Sequence, residues 1–256
     1  MGFRGCVLPT LLSLILLEAS SVAAADDPHW TYEGEMGPEH WADHNSACAG
    51  SSQSPVNIIV TDADPDSAKA FPLSVHYPPQ TRIHSVTNNG HSIQYDFDQG
   101  DEIEFNGDRY ALKQIHFHEP SEHTLNGVRY PIEMHLVHAN EARGEYTVIG
   151  LLGYEGAPNK TFAKIEQFVP HQTGETLAIN QSIDLNGLFD ETLTPRFHYR
   201  GSLTTPPCSE NVNWVVFEEP FMLSHDQVVK LKELMPKNNY RDVQPLNTRH
   251  VTWVVN

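Results

Sequence analysis

The sequence contains few cysteines and few basic residues. Its 256 residues include three Cys and 16 Lys or Arg against 33 Asp or Glu, which gives a formal net charge of −17. No basic stretch interleaved with aromatic residues occurs, and such a stretch is the usual feature of a surface that binds nucleic acid. We therefore expect no nucleic-acid partner, and the acidity indicates solubility and repulsion from anionic surfaces.

Long apolar runs are also absent from the rest of the chain after its N-terminal segment. No segment there has 18 consecutive apolar residues. At the N-terminus, Arg4 precedes an apolar run over residues 7–17, and Ala23-Ala24-Ala25 follows it. This is the layout of a cleaved secretory signal peptide. The run is short for a membrane span, and Pro9 interrupts it, although an N-terminal anchor or buried helix is the alternative.

We predict a signal peptide over residues 1–25 and one mature domain over residues 26–256, because no repeat, linker or change in composition divides the latter. The mature chain is then exported, with the periplasm as the first choice and the extracellular space as the second. No membrane insertion of the mature chain is expected. The sequence does not decide the oligomeric state, and a homodimer is left open.

The number of cysteines in the mature chain is consistent with export. Cys6 lies in the predicted signal peptide, which leaves Cys48 and Cys208 as an even pair. In an oxidising compartment such a pair predicts one disulfide. It would close a loop of about 160 residues and contribute about 3–5 kcal/mol. Two unrelated buried thiols are the alternative.

The pattern of the chain indicates a mainly β domain. Short segments rich in β-forming residues lie between turn signals such as Asn88-Asn89-Gly90 and Asn106-Gly107. The predicted strands include residues 93–97, 103–105, 113–118, 132–138, 146–150 and 213–217. Helical patterns are limited to residues 160–168 and 224–234. In the second of these, Ser224 and Gln227 occupy the positions of a capping box.

Three histidines supply the most specific pattern. His116 and His118 alternate along a predicted strand and share one face, and His135 lies on the next strand. Three neutral imidazoles with a fourth position open are typical of a catalytic zinc site that activates water. On the same strand faces, Gln114 and Glu133 are placed to hold the ligands in orientation. Copper, iron, nickel and cobalt remain alternatives, as do histidines satisfied in a core or on a solvated sheet.

With these residues in view, the sequence resembles the α-class carbonic anhydrases, and bacterial members in particular. The motifs that carry the resemblance run in order through the chain: Gly37-Pro-Glu-His-Trp41, Gln53-Ser-Pro-Val-Asn57, Asn88-Asn-Gly-His91, Gln114-Ile-His-Phe-His118, Ser121-Glu-His-Thr124, Glu133-Met-His135 and Gly201-Ser-Leu-Thr-Thr-Pro-Pro207. The resemblance implies a single domain around a large, twisted, mostly antiparallel sheet of about ten strands, with short peripheral helices.

The resemblance also implies roles for individual residues. One Zn²⁺ per chain would be bound by His116, His118 and His135, with Gln114 and Glu133 holding these ligands. A relay from Thr204 to Glu122 would orient the zinc hydroxide. Carbon dioxide and bicarbonate would contact Val137, Val148, Leu203, Thr204, Thr205 and Trp214. His91 would act as proton shuttle, aided by a water network at Tyr32, Asn89 and Gln94. The pair Cys48 and Cys208 matches a disulfide of secreted members, and Pro207 matches a cis proline.

The expected function is reversible hydration of carbon dioxide to bicarbonate and a proton, by attack of zinc hydroxide on carbon dioxide. The chain would thus be a carbonate dehydratase, a zinc lyase, with esterase activity as a side reaction. One alternative is an inactive domain of the same fold that serves as a binding module, although such domains usually lose a zinc ligand. Another is a different zinc hydrolase, for which no dedicated acyl-binding motif is evident.

Overall fold

A computed structural model describes residue 1 and residues 30–67, 69, 71–189 and 192–255 of the chain. The predicted signal peptide, apart from residue 1, lies outside the described residues, as does Cys6. No helix in the described part of the chain has the length and apolarity needed to cross a membrane.

Strands dominate the described residues. They are β1 (Asn57–Ile58), β2 (Asp64–Ser67), β3 (Leu73–His76), β4 (Thr81–Asn88), β5 (Ile93–Phe97), β6 (Glu102–Phe105), β7 (Asp108–His118), β8 (Thr124–Leu125), β9 (Val128–Arg129), β10 (Ile132–Asn140), β11 (Glu145–Glu155), β12 (Thr176–Ile183), β13 (Arg196–Gly201), β14 (Val212–Phe217), β15 (Phe221–Leu223) and β16 (Thr252–Val255). The α-helices are α1 (Trp41–His44), α2 (Phe162–Ile165) and α3 (His225–Leu234). Short 3-10 turns cover Gly34–Met36, Ser46–Ala49, Val60–Asp62 and Leu185–Leu188.

One large sheet organises the domain. Ten strands follow the order β12-β4-β5-β7-β10-β11-β14-β13-β16-β2, while β15 pairs with β11, β6 with β7, and β3 with β6. Most of these pairings are antiparallel, and the parallel ones join β11 to β14, β11 to β15 and β16 to β2. A small second sheet contains β1, β8 and β9. The predicted mainly β fold around a mostly antiparallel sheet is therefore confirmed.

The central strands carry different chemistry on their two faces. On β7 and β10, Ile115, Phe117, Met134 and Leu136 are fully buried in the larger apolar core. Since side chains alternate along a strand, the residues between them point to the other face, where His116 and His135 lie. The sheet thus holds its histidines rigidly, because the opposite face of the same two strands is packed in the core.

Turns and helix ends follow the predicted residues in most places. Asn106 and Gly107 both have positive φ, at 52° and 83°, as the predicted two-residue hairpin between β6 and β7 requires. Helix α3 begins after Ser224, whose hydroxyl accepts from the Gln227 N–H, and the predicted capping box is present. The helical pattern over residues 160–168 overestimates α2, which ends at Ile165. After Ile165 the N–H of Phe168 bonds to the carbonyl oxygen of Ile165, and this i to i+3 turn replaces the helical hydrogen-bond pattern.

The predicted disulfide between Cys48 and Cys208 is present and joins residues 160 positions apart. Both cysteines are buried and pack with Trp41, so the bond fastens the N-terminal turns to the loop after β13. The Pro206-Pro207 bond in that loop is cis, as the resemblance implies.

Candidate metal centre

The register of β7 against β10 brings the three histidines together. His116 lies directly opposite His135, and His118 lies opposite Glu133. One nitrogen from each imidazole falls within a cluster whose members are all within 4.8 Å of one another. Nε2 of His116 is 3.3 Å from Nδ1 of His135. The convergence follows from antiparallel pairing alone, since opposed residues share a face of the sheet.

Each imidazole is oriented by a hydrogen bond from its other nitrogen. Nδ1 of His116 donates to Oε1 of Gln114 at 2.7 Å, and Nε2 of His135 donates to Oε1 of Glu133 at 2.8 Å. Nδ1 of His118 donates to the carbonyl oxygen of Asn239 at 2.6 Å. Because the N–H groups point outward, the lone pairs of the remaining nitrogens face one another.

Asn239 was not identified from the sequence. Its contribution is a main-chain carbonyl 121 residues from His118, and every residue type carries such a group. No side-chain pattern could have found it.

The nitrogens fit a tetrahedral metal ion. Zn–N bonds of about 2.0–2.1 Å place two tetrahedral ligands about 3.3–3.4 Å apart, close to the separation of His116 Nε2 and His135 Nδ1. Nε2 of His118 is buried and has no hydrogen-bond partner among the described residues. Burial, and then the neighbouring imidazoles of His118 and His135, holds the pKa of His116 well below its ordinary value. Burial likewise lowers the pKa of His118. Neutral imidazoles are the form that binds a metal.

Glu133 is the most heavily bonded acceptor of the site. Its fully buried carboxylate accepts from the main-chain N–H groups of Glu122 and His123, both at 2.8 Å. It also accepts from Nδ1 of His123 at 2.7 Å and from Nε2 of His135. Burial by itself raises the pKa of this carboxyl, but the imidazoles of His123 and His135 more than offset burial and hold it well below its ordinary value. Glu133 therefore fixes the tautomer of His135 as a carboxylate.

His123 makes structural hydrogen bonds with both ring nitrogens, one of them to Glu133. Its Nε2 lies 2.6 Å from the hydroxyl of Tyr199, which in turn lies 2.9 Å from the hydroxyl of Ser54. This buried chain connects Glu133 to the start of β1 and to the disulfide region. His123 also belongs to a second cluster of possible ligand atoms with Glu133 and His135, but its nitrogens are engaged in the hydrogen bonds just described.

Glu122 is buried beside the histidines. Its Oε1 accepts from the main-chain N–H of Arg241 at 2.9 Å. Its Oε2 lies 3.4 Å from Nε2 of His118 and has no hydrogen-bond partner among the described residues. The described residues therefore contain no hydrogen bond from Thr204 to Glu122, and the relay between them stays a prediction. Thr204 itself is buried and lines the same cavity as His116.

An apolar cavity of about 470 Å³ opens beside the metal centre. The residues predicted to contact carbon dioxide and bicarbonate all line it together with His116 and His135: Val137, Val148, Leu203, Thr204, Thr205 and Trp214. Tyr146 and Ala139 extend the same wall. At the rim, Nζ of Lys113 lies 2.6 Å from Oε1 of Glu141, an ion pair that was not identified from the sequence.

A smaller cavity of about 100 Å³ joins the histidines to the turn that carries His91. It is lined by the residues predicted for the shuttle and water network, together with ligand residues: Tyr32, Asn89, His91, Gln94, Gln114, His116 and His118. Oδ1 of Asn89 accepts from the N–H groups of His91 and Ser92, and Asn89 also contacts Gln94. The His91 ring stacks on Trp30 with centroids 3.7 Å apart, a contact that sequence reasoning missed.

Comparisons with known proteins agree with this arrangement. The family described as eukaryotic-type carbonic anhydrase matches residues 36–255. A carbonic anhydrase of Klebsiella pneumoniae is 40% identical over 251 residues, which cover 94% of this chain and 96% of that protein. Among solved structures, the α-carbonic anhydrase of Thermovibrio ammonificans in complex with the inhibitor sulfanilamide is 41% identical and has a TM-score of 0.81. That match covers 88% of this chain and 98% of the other.

A hyperthermostable carbonic anhydrase identified from an active hydrothermal vent chimney is 40% identical and has a TM-score of 0.78. That match covers 89% of this chain and 100% of the other. The resemblance inferred from the sequence motifs, including the likeness to bacterial members, is thus confirmed over nearly all of the described residues. The chain belongs to the eukaryotic-type, or α-class, carbonic anhydrase family and is an enzyme of that class.

Proposed function

We propose that the chain catalyses the reversible hydration of carbon dioxide to bicarbonate and a proton, with one Zn²⁺ per chain bound by His116, His118 and His135. The observation that carries the proposal is the convergence of three imidazole lone pairs at one end of an apolar cavity. Zinc held by three neutral imidazoles lowers the pKa of a coordinated water to about 7 and so supplies hydroxide at neutral pH.

The cavity wall suits the substrate. Carbon dioxide is small, neutral and apolar, so it needs an apolar surface and no charged clamp. Val137 and Val148 face Trp214 across paired strands, and these side chains exclude water from the space next to His135. Thr205 lies at the junction of the two cavities and is placed to hold bicarbonate as it leaves.

Thr204 and Glu122 orient the nucleophile in this proposal. We propose that in the active enzyme the Thr204 hydroxyl donates its hydrogen to Oε2 of Glu122, the buried carboxylate oxygen that has no hydrogen-bond partner among the described residues. Arg241 holds the opposite oxygen of Glu122 through its main-chain N–H. With its own hydrogen committed, Thr204 Oγ1 can only accept, and it therefore favours nucleophiles and inhibitors that carry a hydrogen to donate.

His91 removes the proton in each cycle. The small cavity that connects His116 to His91 has room for bridging water, and Asn89, Gln94 and Tyr32 supply polar groups along it. A histidine titrates near neutral pH and can pass a proton to buffer at similar cost in both directions. The His91 ring stacks on Trp30, and both residues line this cavity, which supports the proposal.

Stopped-flow measurement of carbon dioxide hydration tests the proposal. The purified enzyme should be active, lose activity with a zinc chelator, regain it with zinc, and be inhibited by sulfanilamide, the compound bound to the Thermovibrio ammonificans relative. His118→Ala should abolish activity, whereas His84→Ala should not, because His84 is exposed and pairs with Asp98 away from the cavity. Active protein that is insensitive to chelator, or folded zinc-loaded protein without activity, would overturn the proposal.

The same experiment separates the alternatives. An inactive binding module would bind zinc and sulfonamide without hydrating carbon dioxide. A dedicated esterase would hydrolyse aryl esters at a kcat/KM above that for carbon dioxide, whereas we propose that ester hydrolysis is a minor side reaction of the same cavity.

We further infer export to the periplasm, or secondarily to the extracellular space. The disulfide between Cys48 and Cys208 supports this inference because such bonds persist in oxidising compartments. The oligomeric state, including a homodimer, is to be measured by sedimentation.

A further inference from the structure

His91 borders two cavities. His116 and His118 line the small cavity next to the metal centre, whereas none of the three candidate ligands lines a larger cavity of about 480 Å³ that also reaches His91. This larger space, the outer cavity, is walled in part by Thr31, Glu33, His91, Thr173 and Lys237. A water molecule takes about 30 Å³ in the liquid, so the outer cavity has room for a small buffer ion together with water.

Separate segments of the chain are fixed around the His91 turn to form this wall. The segment of Lys237 is held next to the turn, because Asn239, two residues later, donates from Nδ2 to the carbonyl oxygen of His91 at 2.8 Å. The loop of Thr173 is held as well, because the N–H of its next residue donates to the carbonyl oxygen of Asn88 at 2.7 Å. The outer cavity is therefore a fixed part of the domain.

Two side chains of opposite charge line the outer cavity, Lys237 and Glu33. Both residues are exposed, and neither charged group forms a hydrogen bond or an ion pair with another residue in the part of the chain that the structure describes. By contrast, Lys113 at the rim of the apolar cavity is paired with Glu141 at 2.6 Å. The charge of Lys237 is thus available to a ligand in the outer cavity.

The hydration reaction has a second substrate, the buffer base that takes the proton from the shuttle. A base that accepts a proton near neutral pH is either neutral, like an imidazole, or an anion, like hydrogen phosphate. A fixed cation attracts only the anionic kind, and a fixed carboxylate repels it. Because the formal net charge of the chain is −17, a dianion approaches most readily where a local cation offsets the general repulsion.

We propose that the outer cavity is the docking site of the proton acceptor, and that Lys237 gives this site a preference for small oxyanions such as hydrogen phosphate. The inference rests on the proposed function, because it takes His91 as the proton shuttle. In the transfer, an N–H bond of the protonated His91 ring breaks and an O–H bond forms on hydrogen phosphate, directly or through one water. The product, dihydrogen phosphate, carries one negative charge less, so Lys237 holds it less strongly and it leaves.

The test compares Lys237→Gln and Glu33→Gln, which remove opposite charges from the same cavity, with Lys160→Gln. Lys160 is a matched control because it is also an exposed lysine, has no partner among the described residues, and does not line the outer cavity. Hydration kinetics are measured by stopped flow at constant ionic strength, with the concentration of inorganic phosphate varied. The same series is run with 1,2-dimethylimidazole, a neutral base.

We expect kcat/KM for phosphate as proton acceptor to fall about three- to tenfold in Lys237→Gln, the factor for one charge some 5–7 Å from a dianion in water. It should rise by a similar factor in Glu33→Gln and stay at the native value in Lys160→Gln. The change for dimethylimidazole should be less than about twofold, and the phosphate effect should shrink as ionic strength increases. In a His91→Ala background, Lys237→Gln should have no further effect, because a docked acceptor then has no donor.

A second measurement needs no catalysis. Phosphate is titrated against the ring-proton NMR signals of His91, which are identified by their loss in His91→Ala. Lys237→Gln should weaken the apparent binding of phosphate at these signals by the same three- to tenfold factor. An unchanged phosphate value in folded Lys237→Gln, by kinetics or by NMR, would overturn the inference. Equal losses for phosphate and dimethylimidazole would overturn it too, because they would show general damage to the shuttle.

Failure of the proposed function is recognised separately. Native zinc-loaded protein that does not hydrate carbon dioxide would refute that function, and the NMR titration would still decide whether Lys237 binds phosphate beside His91.

Discussion

Replacing Glu133 by Gln changes one atom of a carboxylate that accepts four hydrogen bonds. The amide of Gln has one oxygen, which can accept two of them, and an NH₂ group that faces the other two donors. If the NH₂ group faces the imidazoles, His135 must accept at Nε2 and carry its hydrogen on Nδ1, the nitrogen that faces the metal centre. If the NH₂ group faces the main chain, the N–H groups of Glu122 and His123 lose their acceptor.

Both orientations have a measurable cost. A wrong tautomer at His135 removes a ligand lone pair, and loss of a ligand's hydrogen-bonding partner typically lowers metal affinity by about 10- to 100-fold. Two buried N–H groups without an acceptor cost about 1–3 kcal/mol each. We therefore expect Glu133→Gln to bind zinc at least tenfold more weakly, to be about 2–6 kcal/mol less stable, or to combine part of each effect.

The assay is competition for zinc with a chelator of known affinity, combined with urea unfolding of the metal-free protein. Glu219→Gln is the control because it removes the same charge from an exposed side chain. Should Glu133→Gln match the native protein in both zinc affinity and unfolding free energy, the assignment of Glu133 as the residue that fixes His135 would be wrong.

Three further predictions concern proton transfer, the disulfide and acid stability. His91→Ala should lower kcat at low buffer and leave zinc binding intact, and added imidazole should restore the rate; absence of rescue would contradict the shuttle role. Replacing Cys48 and Cys208 together by Ser should lower the unfolding free energy by about 3–5 kcal/mol in denaturant titrations, because the bond closes a long loop; equal stability would refute this. Burial lowers the pKa of both His138 and His198 from 6.5 to about 4, so the unfolded chain binds more protons between these pH values. Stability should therefore fall as the pH drops below 6.5, by about 3 kcal/mol for each histidine at pH 4. His138→Gln should reduce that slope in urea unfolding at pH 7, 5.5 and 4.5, and an unchanged slope would contradict the prediction.

The faces of the central strands could be predicted from the sequence because they depend on local alternation. Ile115 and Phe117 are apolar and His116 and His118 are polar, so parity alone places the histidines together on one face. The order of the strands could not be predicted in this way. For example, Val148 of β11 pairs in parallel with Trp214 of β14, 66 residues further along the chain. Nothing in either segment specifies the other, and only the resemblance to a family implied that Val148 and Trp214 belong to the same site.

Some contacts of the candidate site also follow from a local sequence pattern, and others do not. Gln114 and Glu133 precede His116 and His135 by two residues on the same strands, so their contacts with these ligands follow from the strand period. His118 has no such local partner, because the residue two positions before it is His116, itself a candidate ligand, and the strand ends at His118. Its orientation depends on the carbonyl of Asn239, and Glu122 depends in the same way on the N–H of Arg241.

Two residues of one irregular segment thus complete a centre whose three histidines lie on β7 and β10. Arg241 is itself held by its guanidinium, which donates to the carbonyl oxygens of Cys48 and Ser54 and to Oε1 of Gln53. The strands alone can bring three imidazoles together, but they do not orient His118 or restrain Glu122. Those two functions require the segment around Asn239 and Arg241 to be packed against the region of the disulfide, and this long-range packing is the part of the site that no local sequence pattern encodes.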